Sequence, residues 1–172
     1  HIPNSSSLLY NYAIVKYRME EKQAALDLLK RTITINPNAA SAHYLLGVIC
    51  FENGKITEGT FAMMSHLNIA PTSSKAQDAI LNLNKKFGEN FLEKNKLVFS
   101  KSGDNFEEIE TILRNQLPLK KAYKVQSDID DVIIRQIQAV VEYAADHKIG
   151  DGFFETTYLP WIKDLHQKKQ FE

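Results

Sequence analysis

The side chains in this sequence able to do chemistry beyond packing are a few histidines, one cysteine and several acidic groups. His43, His66, His147 and His166 could bind zinc or move protons, but no two stand at i, i+4 on one helix and none lies at ligand spacing from Cys50. Cys50 ends an apolar run without basic neighbours to lower its pKa, so it reads as buried filler and not as a nucleophile. Asp128, Asp130 and Asp131 have the alternation of a calcium loop, yet the glycine and closing glutamate of an EF-hand are missing. Carboxylates at the positive end of a helix dipole explain them better. His147, Asp151, Glu155 and Trp161 are the residues an enzyme hidden in 106–172 would use. No Ser/His/Asp order, Walker loop or zincin motif joins them, and Gly150-Asp151-Gly152 reads as a turn. The expectation is no catalytic constellation, no metal and no cofactor.

Lys85, Lys86, Lys94, Lys96 and Lys101 lie among Phe87, Phe91 and Phe99, a mixture that nucleic acids can exploit. Glu89 and Glu93 interrupt it, and a solvated helix face is expected. Lys and Arg number 21 against 21 Asp and Glu, so the chain lacks the basic surplus that displaces counterions from phosphates. Hydrophobic content of 44% in 172 residues is enough for a core and too much for a disordered tail. Tyr44 to Phe51 is the longest apolar stretch, far below the roughly 20 residues of a membrane span. A lone cysteine leaves the compartment open, with cytoplasm favoured over periplasm. The chain begins at His1 and not methionine, so a piece of a longer protein is expected.

The elements that position these residues are helical. Pro37, Gly54, Pro71, Gly88, Gly103, Pro118, Gly150 and Pro160 punctuate segments of helix length. Apolar spacing predicts helices over 7–18 and 22–35, then 41–53 and 57–69, which makes two helical hairpins. Asp104 with Glu107 resembles a capping box for a short helix carrying Ile109, Ile112 and Leu113. Residues 115–126 read as an extended connector. Ser127 with Asp130 signals the start of a helix over 128–147, the longest expected and buried on both flanks. A last helix over 152–168 should bend or split at Pro160.

A shift of 34 residues tests whether the hairpins are copies. It brings Ala13 onto Gly47, Ala25 onto Gly59, Tyr10 onto Tyr44, Ile14 onto Val48, Ile35 onto Ile69 and Pro37 onto Pro71. The small residues at 13/47 and 25/59 are expected helix crossing points, because glycine within a helix costs about 1 kcal/mol and needs a packing reason. A third copy over 74–105 is degenerate. The period, the Leu46-Gly47 pair, the small residue in each second helix and the closing proline resemble tetratricopeptide repeats over residues 6–105. Leu9 and His43 depart from the bulky aromatic usual early in the first helix, and Thr32 and His66 replace a late alanine.

The resemblance implies an all-α, right-handed solenoid of helix hairpins (6–39, 40–73 and a degenerate 74–105), closed by a C-terminal helical segment over 106–172. It also implies that the first helices line a concave face, here Tyr10, Ile14, Tyr17, Tyr44, Val48 and Phe51. Apolar residues at the sites where chaperone-binding relatives carry Lys and Asn argue against a carboxylate clamp. The expected function is a scaffold that binds a peptide or partner protein on that face. The alternative is a non-catalytic regulatory or spacer region of a larger enzyme or secretion-type assembly, its groove filled by its own C-terminal helices.

Overall fold

A computed structural model of the chain describes residues 5–92 and 104–168. Every regular element among them is helical: α1 Ser6–Arg18, α2 Lys22–Ile35, α3 Ala40–Glu52, α4 Ile56–Ile69, α5 Ala76–Leu92, α6 Glu107–Arg114, a 3₁₀ turn Leu117–Leu119, α7 Val132–Asp146 and α8 Phe153–Gln167. The first two hairpins form as the apolar spacing predicts. α1 packs on α2 and α3 on α4, while α2 also meets α3 and α4 meets α5, so successive hairpins stack.

The small residues sit where the helices cross. Ala13 and Ala25 are fully buried. A Cβ on Gly47 would stand 3.0 Å from the Met63 side chain and 3.2 Å from the Gly59 carbonyl, and one on Gly59 would overlap the Phe51 ring. That close approach offsets the helix cost of both glycines. Glycine meets a different need at the turn between α3 and α4, where Gly54 takes φ 73°, a left-handed conformation it adopts without steric cost.

Of the third copy, α5 supplies a first helix that packs on α3 and α4. Residues 93–103 of that copy, with Lys94, Lys96, Phe99 and Lys101, lie outside the described residues.

Three expectations about the C-terminal part are corrected. The capping box at Asp104 does not form: Asn105 Oδ1 accepts the Glu107 N–H at 3.1 Å, and Asp104 Oδ1 instead accepts the Glu155 N–H of α8 at 2.8 Å. A carboxylate at a helix N-terminus is favoured wherever the fold brings one, and here the fold brings it across a long sequence separation. α7 starts at Val132 because Asp131 is its N-cap, accepting the Ile134 N–H at 2.9 Å. At 15 residues α7 is shorter than the 17-residue α5. α8 is not split at Pro160, which is exposed within the one helix.

The C-terminal helices bury Val140, Val141, Ala144, Phe154, Tyr158, Leu159 and Ile162 in one core with the hairpins. Phe61 of α4 meets Phe106 edge-on at 5.1 Å and lies 6.3 Å from Tyr158. Lys30 of α2 stands over the Phe153 and Phe154 rings at 5.4 and 5.5 Å. α8 therefore lies against the second helices of the hairpins and the start of α3, not on the face carrying Tyr10 and Tyr44.

Candidate functional site

On α1, Tyr10, Ile14 and Tyr17 recur at helical spacing, and on α3 Tyr44 and Val48 repeat the pattern one hairpin later. All five pack against the core while remaining half-exposed. They form one apolar and aromatic face across two stacked helices. Phe51 does not belong to it: the side chain is 3% exposed, with its ring against Gly59. Its spacing on α3 matches the face, but the missing Cβ at Gly59 opens a slot in α4 that the ring fills.

Polar contacts fix the two ends of this face. Tyr17 Oη donates to Glu52 Oε1 at 2.6 Å, and Lys22 Nζ pairs with Glu52 Oε2 at 2.9 Å, which ties α1, α2 and α3 together. The hydrogen bond to Glu52, aided by burial, pushes the Tyr17 hydroxyl up to about 12, so it stays a neutral donor. Tyr44 stands edge-on to His66 at 5.4 Å, with Lys75 Nζ 5.4 Å from its ring centroid. Beside Tyr10 a cleft of ≈ 240 Å³ opens between α1, the end of α2 and the start of α3. Ser7, Asn11, Asn36 and Ser41 line it, uncharged groups able to bond a peptide backbone.

The histidines act in the framework. His43 Nε2 lies 2.8 Å from the Pro37 carbonyl, which can only accept, so that nitrogen carries the proton and Nδ1 accepts from Tyr158 Oη at 2.8 Å. Burial holds the His43 imidazole below its ordinary range and keeps it neutral. His66 likewise donates from Nδ1 to the Ala40 carbonyl at 2.9 Å and accepts from Ser73 Oγ at 3.2 Å. Two buried imidazoles thus bind the start of α3 to α8 and α4.

Comparison with protein-family models, with curated proteins and with solved structures returns no match.

Of the residues considered for catalysis, His147 Nε2 meets Glu155 Oε1 at 3.3 Å. Glu155 is buried, its Oε2 accepting the Gly152 N–H at 3.3 Å. Asp151 is exposed, and Trp161 is elsewhere, on a second cleft of ≈ 240 Å³ with His43, Ser65, Asn68 and Tyr158. The foursome does not assemble, and its closest pair serves the N-terminus of α8. Cys50 is buried and its thiol is pushed up by burial. Asp130 pairs with Arg135, and Asp131 caps α7. No group of three or more His, Cys, Asp or Glu that could hold a metal ion gathers among the described residues.

The sequence does not reveal the buried acids Glu58 of α4 and Glu110 of α6, at 4% and 3% exposure, with the Glu58 charge felt at Glu110. Glu110 stands in the first turn of α6 beside Glu107 and Glu108, a position that reads as helix-dipole charge. Its one signal is that Ile109 and Leu113 flank it on a helix too short to have more than one solvent side.

Proposed function

We propose that this protein is a non-catalytic helical-repeat module that binds a peptide segment of a partner protein on the face made by α1 and α3. The observation that carries the reading is the half-exposed row Tyr10, Ile14, Tyr17, Tyr44 and Val48, repeated in register across two helices and ending in an uncharged cleft. Tyrosine anchors contribute large contact area at low entropic cost, and neutral amides and hydroxyls suit a peptide backbone better than a charged terminus. The tetratricopeptide resemblance supports the same choice of face. The placement of α8 on α2, α3 and α4 supports an open groove over a self-filled one.

Peptides selected from a random display library against the whole chain test this. A Tyr10→Ala, Tyr44→Ala double variant with unchanged circular dichroism should weaken the selected peptides by roughly 30-fold or more, since even one hot-spot tyrosine is worth about 2 kcal/mol. Selected peptides that bind the double variant unchanged would refute the proposal.

A further inference from the structure

A second, separate surface lies on the outer side of α1. Leu8, Tyr12, Val15 and Met19 recur at helical spacing and are 54%, 45%, 48% and 60% exposed. They share one stripe, away from the Leu9 and Ala13 positions buried against α2 and from the Tyr10, Ile14 and Tyr17 face.

The second hairpin shows how the same stripe is used when covered. At the 34-residue shift Leu8, Tyr12 and Val15 become Ala42, Leu46 and Ile49, which are 1%, 0% and 0% exposed. α3 packs on α2 as well as on its own hairpin partner α4, whereas α1 packs chiefly on α2. Gly47, against Met63, marks the side of α3 that meets α4. The stripe Ala42, Leu46 and Ile49 lies around the helix from it, on the side left for α2. Among the described residues, a helix equivalent to α2 is what the stripe on α1 lacks.

Charge specifies that helix further. Lys22, the first residue of α2, pairs with Glu52, the last residue of α3, at 2.9 Å, so the covering helix runs antiparallel to the covered one. The residue shifted onto Glu52 is Arg18, the last of α1, exposed and of opposite sign. We propose that the outer face of α1 docks an antiparallel amphipathic helix of a partner protein, carrying an acidic residue in its first turn opposite Arg18. The acid gains twice, from Arg18 and from the positive end of its own helix. A second copy of α1 fits worse: antiparallel pairing would bring Arg18 to a first turn that holds no acidic residue.

The test uses a helix-stapled peptide of residues 21–36, the α2 sequence, in its parent form and as K22E, each confirmed helical by circular dichroism and titrated against the whole chain by fluorescence anisotropy. K22E peptide should bind saturably and more tightly than the parent. Val15→Asp in the chain, at an exposed site that leaves the core intact, should weaken it by about tenfold or more. Arg18→Glu should reverse the preference toward the parent peptide. A helical K22E peptide that does not bind, or binds Val15→Asp equally well, overturns the proposal. So does concentration-dependent self-association in sedimentation that Val15→Asp abolishes, which would make a second copy the occupant.

Discussion

Glu110 is a carboxylic acid enclosed where α6 meets α4. Its Oε1 accepts the Thr57 N–H at 3.5 Å, and its Oε2 has no hydrogen-bond partner among the described residues. Burial first, and then the Glu58 charge, raise its pKa to about 8, with Arg114 opposing. In the unfolded chain the group titrates near 4.5. Above that pH the native state keeps a proton that the unfolded chain has released, so the stability Glu110 contributes falls as pH rises from about 4.5 to about 8. Glu110→Gln should remove that slope and leave the protein more stable than wild type at alkaline pH by ~1–3 kcal/mol. Urea unfolding as a function of pH checks it, and parallel curves for the two proteins would contradict it. Beyond the flanking Ile109 and Leu113, the sequence gives no sign of this burial. A glutamate in a first turn looks the same in sequence whether its helix end meets water or another helix.

Helix positions were far more legible, because apolar period and punctuation act locally. α1 to α4 fall within a residue or two of their predicted ranges. The errors are at starts governed by side chains with competing choices: Ser127, Asp130 and Asp131 all suit a cap, and only Asp131 reaches a free N–H of α7. Glycines divide similarly. Gly59 and Gly88 both interrupt helices, yet a methyl on Gly59 overlaps the Phe51 ring whereas nothing lies within 4 Å of one on Gly88. Gly59→Ala should destabilise by ~1–3 kcal/mol through overpacking, despite its gain in helix propensity. Gly88→Ala should stabilise by about 1 kcal/mol, since only propensity changes. Thermal melts of the two variants should shift in opposite directions; shifts of the same sign would show that the crossing at Gly59 is not tight.

Over the whole molecule, the C-terminal helices are part of the hairpins' core and not an appendage. Tyr158 is 1% exposed, stacks with Phe154 at 5.7 Å and donates to His43 of α3. Tyr158→Ala should cost ~3–5 kcal/mol, lowering a single cooperative transition by roughly 10 °C. Two separate transitions in the wild-type chain would contradict this. The sequence marked 152–168 as a helix carrying Phe153, Phe154, Tyr158 and Trp161, but not what it packs against. The deciding partners, Lys30, His43 and Phe61, lie about a hundred residues away along the chain and belong to three different helices. The same reasoning explains Phe51: its period on α3 was correct for the binding face, and the slot over Gly59 became visible only once α3 and α4 were packed.

The proposed role of the α1 and α3 face is recognition of a partner peptide. Backbone and methyl chemical-shift mapping by NMR, with a display-selected peptide added to the labelled chain, addresses it directly. The shifts should concentrate at Tyr10, Ile14, Tyr17, Tyr44 and Val48 and leave Phe51 and Tyr158 unchanged. Shifts centred instead on His43, Asn68 and Trp161, with the first-helix face silent, would contradict it.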